Sequence, residues 1–259
     1  MKSRRTLLAR AYVLHTQPYR DTSRIIEVFT REQGRLSVFA RGVRGPKPRL
    51  ASLLQPFQPL LISFTSRGDA AQLVSAESEA ARHPLSNPGS LTGGLPPAAL
   101  LSGFYLNELL LKLTTRHDPN AGLFDGYAQA LAELTAGRAQ EPVLRHFELR
   151  LLQEVGYGLE LTQTLAGGPV SAEAYYHFRP SEGLLAASAE HAGAVRGSSL
   201  LKLSQGRLRE APELADARKV LTAALAHCLE GRPLATRAVA RACVGSALVP
   251  EMRSESLKS

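Results

Sequence analysis

Residues 23–41, SRIIEVFTREQGRLSVFAR, hold two short runs of branched and aromatic residues on either side of a loop that contains one glycine. Such runs are typical of β-strands, and a short loop with glycine is typical of a hairpin. The segment therefore predicts two neighbouring strands, over 23–30 and 35–41.

Similar runs flank this hairpin. Residues 11–16 precede it, and residues 57–65 and 70–80 follow it. Five short strands within about 80 residues suit a small, partly open β-barrel.

The aromatic residues of this region divide into two groups by position. Phe29, Phe39 and Phe64 lie where the strands would face the barrel interior, so we expect them in its core. Tyr12 and Tyr19 are the better candidates for stacking against nucleic-acid bases.

A break rich in proline, glycine and serine at residues 82–97 predicts a domain boundary. Beyond it the apolar residues take helical spacing, and we expect a helical bundle. The predicted helical segments are 97–113, 118–134, 141–158, 212–231 and 233–248. Asp118 is placed to cap the second of these helices, and Gly156 to close the third.

Residues 161–210 interrupt the helical pattern. They alternate clusters of Gly, Ala and Ser with one aromatic run, AYYHF, at 174–178. This composition predicts a small, loosely built subdomain with two or three short strands.

Positive charge is concentrated at the start of the chain. The protein has a formal net charge of +8, yet residues 1–50 alone carry twelve Lys and Arg against three Asp and Glu. A solvated surface normally mixes both signs, so this excess favours an anionic partner. Nucleic acid is favoured over a membrane, because the segment lacks the amphipathic helix that lies on a bilayer.

The segment FARGVRGPKPRL, residues 39–50, adds a proline- and glycine-containing loop to the end of a predicted strand. We expect this loop to be irregular, with its X-Pro steps extended. Cations on such a rim would neutralise the phosphates of a bound strand. The expected contacts are Arg35, Arg41, Arg44, Lys47 and Arg49.

The sequence shows no motif for catalysis. It lacks a His-Glu-x-x-His pair, a Gly-x-Ser-x-Gly elbow and a phosphate-binding loop. Two cysteines, Cys228 and Cys243, are too few for a disulfide framework or a thiolate zinc site. Among the histidines, only His177 and His191 form a pair to consider as metal ligands. We therefore expect a binding protein without a cofactor.

No apolar run is long enough for a membrane span, and the N-terminus lacks the pattern of a signal peptide. We expect a cytoplasmic protein that does not bind membranes.

The order of residues across 11–60 resembles the N-terminal domain of the RecO family of bacterial DNA repair and recombination mediator proteins. Residues 105–134 and 144–161 resemble the family's first helices and its most recognisable helix and turn, and residues 229–239 are similar to its closing helix. The likeness rests on several separated matches in the right order.

This resemblance implies an α+β fold, with an N-terminal oligonucleotide-binding (OB) barrel followed by an α-helical domain. It implies binding of single- and double-stranded DNA, annealing of complementary strands, and assistance, together with RecR, to RecA on DNA coated with the single-strand-binding protein. It supports the phosphate contacts named above and adds Arg20 and Arg24, which flank the turn YRDTS. The protein would be associated with the nucleoid.

Many members of the family carry two Cys-x-x-Cys pairs in a zinc-binding insertion. The corresponding positions here are Thr164 and Gly167, then Ala186 and Ala189. The resemblance therefore implies a degenerate zinc-finger-like subdomain that holds no metal.

The expected domains are an OB barrel over 1–82, a helical domain over 83–160 and 211–259, and the insertion over 161–210. The helical domain would bind the tail of the single-strand-binding protein, which is acidic with an apolar end. The candidate cations for this contact are Lys112, Arg116, Arg145 and Arg150.

Two alternatives stay open. One is a basic, metal-dependent enzyme that acts on nucleic acid; it would need several carboxylates near the basic surface, where residues 1–50 offer three. The other is a protein-interaction scaffold of a repair complex, in which the helical domain dominates.

Overall fold

The computed structural model describes residues 4–43, 48–67, 70–79 and 94–247 of the 259-residue chain. Within these ranges the first part of the chain is β-rich and the second part is mainly helical. None of the described helices is long and apolar enough to cross a membrane.

All five predicted strands are present, and they form a barrel. In chain order the elements are β1 (Arg4–Tyr19), β2 (Ser23–Thr30), β3 (Gly34–Ala40), a short helix α1 (Pro48–Leu53), β4 (Leu60–Arg67) and β5 (Ala70–Ser78). The strand order is β1-β2-β3-β5-β4, and the barrel is closed rather than partly open. A short parallel pairing of β3 with β5, through Val38 with Ala71 and Phe39 with Gln72, completes the ring.

The loop after β3 differs in part from the prediction. Helix α1 begins at Pro48, so residues 48–50 are helical rather than irregular, while the residues before the two prolines, 45 and 47, lie outside the described residues. Proline is well suited to the start of a helix, because its missing N–H has no partner there in any case.

The barrel interior is filled by side chains that alternate along the strands. They include Ile26 and Val28 on β2, Leu36 and Val38 on β3, and Phe64 on β4. The prediction that Phe64 lies in the barrel core is thus confirmed. Phe29 and Phe39 do not lie there, because their strand positions face outward.

The helical part contains six helices in the described residues. They are α2 (Leu100–Leu113), α3 (Ala121–Thr135), α4 (Gln140–Glu154), α5 (Gly197–Ser204), α6 (Ala211–Cys228) and α7 (Ala235–Ala247). Gly156, with φ +88°, follows α4 as predicted. Helix α3 is capped by Asn120, whose Oδ1 accepts a hydrogen bond from Leu123 N at 2.8 Å, and not by Asp118.

The later start of α3 has a physical cause in the connection from α2. His117 donates its backbone N–H to the carbonyl of Arg35 at 2.8 Å, and the Asp118 backbone lies against Gly34. The connection is therefore attached to strand β3, and the helix begins after the chain leaves it.

Residues 161–210 contain a three-stranded sheet in the order β7-β6-β8, made of β6 (Tyr175–Arg179), β7 (Gly183–Ala187) and β8 (Val195–Arg196). The short strands agree with the prediction. The packing does not, because Tyr176, Phe178 and Leu184 belong to the same continuous core as the helices. This segment shares the helical core instead of being loosely built.

Barrel and helices meet at a bulge in β1. The pairing of β1 with β2 shifts between Val13 and His15, which leaves Leu14 as an extra residue. Leu14 packs into the helical core, and its carbonyl accepts a hydrogen bond from Asn107 Nδ2 on α2 at 2.9 Å. Tyr127 on α3 donates to Asn107 Oδ1 at 2.5 Å. Both the nitrogen and the oxygen of the buried Asn107 amide thus have a hydrogen-bond partner.

Helix α2 also holds the start of α7. The Glu108 carboxylate accepts the backbone N–H groups of Ala235 at 2.8 Å and Thr236 at 2.9 Å. Burial opposes the charge, but these hydrogen bonds and the nearby Lys112 outweigh it and lower the pKa of Glu108. A carboxylate at the first turn of a helix satisfies N–H groups that have no partner within the helix.

Two glycines allow a test of the contact between β3 and the connection after α2. Gly34 and Gly42 have similar left-handed φ values, +66° and +68°. A Cβ on Gly34 would lie 2.0 Å from the Asp118 carbonyl oxygen, whereas one on Gly42 would meet no atom of the described residues within 4 Å. We expect Gly42→Ala to lower the free energy of unfolding by about 1 to 2 kcal/mol, from backbone strain alone. Gly34→Ala should cost about 2 kcal/mol more, because it adds the clash. Urea unfolding measures both, and equal losses would show that this close approach does not hold in solution.

Candidate nucleic-acid interface

The outer face of β1, β2 and β3 carries four successive cross-strand rows. The pairings join Tyr12 with Phe29 and Arg35, His15 with Glu27 and Ser37, Gln17 with Ile25 and Phe39, and Tyr19 with Ser23. Neighbouring rows on one face are about 7 Å apart along the strands. The rows differ in how far the helices cover them and in how many charged side chains they carry.

The first row is covered by helices. Tyr12 is 8% exposed, and its ring centroid lies 5.4 Å from that of Phe124 and 5.1 Å from that of Tyr127. Burial, with a smaller effect of Glu79, raises the pKa of Tyr12 to about 12. The expectation that Tyr12 stacks on bases is therefore wrong, because its ring packs between the barrel and the helices.

The second row is an ionic cluster around Glu27. Its carboxylate accepts hydrogen bonds from Ser37, from Arg35 Nη1 at 3.0 Å and from Arg116 Nη2 at 2.5 Å. Burial disfavours the charge, but the Ser37 and Arg116 hydrogen bonds and the two arginine charges outweigh it, and the pKa of Glu27 is lowered. Two cations surround one anion, so the cluster keeps a net positive charge.

Arg35 was expected to contact DNA, and the structure gives it a different place. Its side chain is 13% exposed and also donates to the Thr114 carbonyl at 2.8 Å and to Thr114 Oγ1 at 3.2 Å. An arginine with these partners joins β3 to the connection after α2. We therefore leave it out of the proposed phosphate contacts.

The third and fourth rows are open. Phe39 and Ile25 are half-buried on the outer face, and Tyr19 is 36% exposed. The Tyr19 and Phe39 rings meet edge to face with centroids 5.4 Å apart, and the guanidinium of Arg20 lies over the Tyr19 ring at 5.3 Å. Tyr19 thus remains available for stacking, next to a cation.

Three of the predicted cations meet at this open end of the barrel. Arg24 at the start of β2 pairs with Pro18 on β1 and Ala40 on β3, which places it beside Arg20 in the β1–β2 turn and Arg41 after β3. Arg20 and Arg41 are exposed, and Arg24 is half-buried. None of the three forms an ion pair with another described residue. We call Arg20, Arg24 and Arg41 the cationic end; Arg44 and Lys47, together with the Arg49 side chain, lie outside the described residues.

The four candidate partner cations do not lie together. Lys112 donates to the Pro233 carbonyl at 3.0 Å, Arg116 binds Glu27, and the exposed Arg150 lies 3.7 Å from Glu154. Arg145 lines a cavity of about 600 Å³ between α2, α4, α6 and α7, and Arg116 lines a different cleft of about 590 Å³ beside the barrel.

Sequence reasoning missed most of this cavity. Arg145 is buried and donates to Glu148 at 2.7 Å, and Tyr105 donates to the same carboxylate oxygen at 2.6 Å. Burial raises the pKa of Glu148 in spite of these partners. Arg218, Arg237 and Arg241 line the cavity from α6 and α7. The spacing of Arg145 and Glu148, one helical turn apart, was the one signal in the sequence.

The insertion segment has no thiolate at the four positions that the sequence comparison above aligned with a zinc-binding insertion. Thr164 and Gly167 form a turn, and Ala186 lies on β7, so the aligned positions, Ala189 included, supply no thiolate. The rings of His177 and His191 do meet, with centroids 4.5 Å apart. However, no group of three or more metal-ligating side chains occurs among the described residues.

Comparison with known proteins identifies close relatives. Residues 1–81 match the family "Recombination protein O N terminal", and residues 97–238 match "Recombination protein O C terminal". The "DNA repair protein RecO" of Laribacter hongkongensis is 43% identical, covering 88% of this chain and 91% of that protein. The protein of the same name from Methylococcus capsulatus is 40% identical, covering 92% of this chain and 94% of that protein.

The Glu27 cluster leads to a prediction on stability and pH. Glu27→Gln should lower the free energy of unfolding by about 2 kcal/mol at neutral pH, because two arginines lose their charged partner. The folded pKa of Glu27 lies below its ordinary value of 4.5, so this contribution is present at neutral pH and is lost as the pH falls through the folded pKa. The difference between wild type and variant should therefore shrink below pH 4.5. Urea unfolding at several pH values measures it.

The matched control is Glu182→Gln, which removes a carboxylate from an exposed pair with Arg179 at 3.1 Å. Exposed pairs contribute little, so its effect should be below about 1 kcal/mol. A difference for Glu27→Gln that does not change with pH would contradict the ionic role.

Proposed function

Because the chain belongs to the RecO family of DNA repair proteins, we propose that it acts as a DNA-binding recombination mediator. It binds single- and double-stranded DNA, anneals complementary strands and, together with RecR, assists the loading of RecA onto DNA coated with the single-strand-binding protein. It does so in the cytoplasm, at the nucleoid, without catalytic turnover. Residues 1–82 are the DNA-binding unit, and the helical part with its insertion carries the protein contacts.

The observation that supports DNA binding is the cationic end. Arg20, Arg24 and Arg41 come from two different loops and a strand start, yet they lie side by side at one end of the barrel. Cations without anionic partners in the protein gain most from phosphates, since binding releases the counterions condensed on DNA. Arg44, Lys47 and Arg49 follow in the sequence and remain predicted phosphate contacts.

Annealing follows from the same electrostatics. Two complementary strands repel each other through their phosphates, and a cationic surface that contacts both lowers this repulsion. The reaction then requires no nucleophile and no general base, because base pairing itself supplies the free energy. A protein of this kind needs positive charge and exposed aromatic surface rather than a catalytic constellation.

The first test is salt-dependent binding by the double variant Arg24→Ala/Arg41→Ala. We expect the affinity for an oligonucleotide to fall about tenfold at moderate salt, and the slope of log K against log salt to decrease by about 0.7 for each lost phosphate contact on a single strand. Fluorescence anisotropy between 50 and 200 mM salt measures both quantities.

Arg179→Ala is the matched control for this test. It removes an arginine that is exposed like Arg41, but from strand β6, far along the chain from the barrel, where Arg179 pairs with Glu182. Its binding should equal that of the wild type. Unchanged affinity and slope in the double variant would remove the assignment of the cationic end.

Strand annealing in the presence of magnesium separates the mediator from an enzyme. Wild-type protein should convert labelled complementary strands into duplex without shortening them, and the double variant should do so more slowly. Gel electrophoresis follows both products. Shortened strands that require magnesium would favour the metal-dependent enzyme.

For the tail of the single-strand-binding protein, we favour the cavity of about 600 Å³ in the helical part. Its walls combine apolar side chains, among them Leu101 and Leu144, with four arginines. Arg237 donates to the Tyr105 hydroxyl at 3.2 Å, and Arg145 Nε and Nη1 have no hydrogen-bond partner within the described residues. An acidic peptide with an apolar end and a free carboxylate matches this combination.

Peptide binding tests this assignment. Arg237→Ala should weaken the binding of an acidic peptide with an apolar C-terminus by about tenfold, because a charge-assisted contact is lost. Amidation of the peptide C-terminus should weaken binding to the wild type similarly. Arg150→Ala, on the same helix as Arg145 but outside the cavity, is the control. Equal binding of the free-acid and amidated peptides would exclude this pocket.

A further inference from the structure

A cleft separates the outer face of the barrel from helix α2. Its volume is about 590 Å³, which lies in the range of small-molecule sites. The ionic row around Glu27 is part of its lining, and it lies on the outer face of β1, β2 and β3, the face that also carries Tyr19. None of the DNA contacts proposed above uses it.

The cleft is lined by polar and charged residues together with three apolar side chains, which come from different parts of the fold. Ile25 and Phe39, which are cross-strand partners, line it from the barrel, and Leu111 lines it from α2. His15 and Gln17 on β1 are exposed and also line it. Apolar surfaces on opposite sides suit the two faces of a flat ring, and polar side chains nearby suit the donors and acceptors on its edge.

One arginine of the cleft, Arg116, can exchange its carboxylate partner for a phosphate. Arg116 has a side chain that is 55% exposed, and it binds Glu27 from the solvent side. If Arg116 turned to a phosphate, Glu27 would keep Arg35 at 3.0 Å and Ser37 as partners. No buried carboxylate would then be left unpaired, so the exchange avoids the usual penalty. Arg35, at 13% exposure, has no such freedom.

The cleft is continuous with the cationic end. Strand β3 runs from Arg35, which lines the cleft, to Ala40, next to Arg41; these five residue steps span about 17 Å. A DNA backbone held at the cationic end can therefore pass along the outer face of β2 and β3 towards Arg116. A base of an unpaired strand is free to turn into the cleft, whereas a base in a duplex must first be unpaired and unstacked.

We infer that this cleft binds an unpaired nucleobase, with Arg116 on the adjacent phosphate, and that it makes the protein prefer single-stranded over double-stranded DNA. The inference rests on the proposed DNA-binding function and adds a strand preference to it. The cationic end contacts phosphates in both kinds of DNA, and the cleft discriminates between them.

The test fills the cleft with Leu111→Trp. Anisotropy should show the affinity for a labelled single strand reduced by about tenfold, the scale of one lost stacked base. The affinity for a duplex of equal length should stay within about twofold of the wild type. In addition, 2-aminopurine in a single strand should brighten when it binds wild-type protein, because the base unstacks, and should not brighten with Leu111→Trp. Equal weakening for both kinds of DNA, or no weakening, would overturn the inference.

Arg116→Ala provides a second variant at an exposed side chain, in case Leu111→Trp lowers the melting temperature. It should weaken single-strand binding more than duplex binding, while Arg179→Ala changes neither. If the Arg24→Ala/Arg41→Ala variant loses affinity and both cleft variants bind normally, the cleft is wrong and the proposed function stands. If all of them bind like the wild type, both are wrong.

Discussion

The packing of one barrel face against the helices is the contact on which the rest of the structure depends. Tyr12, Leu14 and Phe29 are strand residues by position, yet they belong to the helical core. The bulge at Leu14 makes this possible, because it turns an extra side chain and its carbonyl towards α2, where Asn107 Nδ2 donates a hydrogen bond to that carbonyl. The barrel is thereby fixed against α2, and the uncovered remainder of the same face becomes the cleft and the cationic end.

Position along a strand decides what each arginine does. Arg35 and Arg41 are only six residues apart on β3 and its extension, but Arg35 lies where the face meets the helical part, beside Glu27 and Thr114. Arg41 lies where the face is open and finds no anion among the described residues. The arginines of this region therefore fall into two groups: some form ion pairs and hydrogen bonds within the protein, and others are free to bind an anionic partner.

The strands, most helices and the family could be predicted from the sequence, because apolar spacing and turn residues are local signals. Which strand residues face the barrel interior could not be predicted. Helices cover part of the outer face, so Phe29 and Tyr12 are buried among apolar side chains just as Phe64 is. The hairpin register does place Glu27 diagonally across from Arg35, so that pair was within reach of the sequence. Arg116 was not, because 89 residues separate it from Glu27. The same holds for the helical cavity, which three arginines from distant helices complete.

Helix α2 serves both halves of the molecule within three turns. Tyr105 and Glu108 form hydrogen bonds with α7 or its first residue. On the other side, Asn107 forms a hydrogen bond with β1, and Leu111 lines the cleft beside the barrel. An α-helix turns by about 100° at each residue, so inserting or deleting a single residue here would rotate one set of contacts away from its partners while the other set stayed in place. Over evolution, the length of this helix is therefore far less free to change than the lengths of the loops around it.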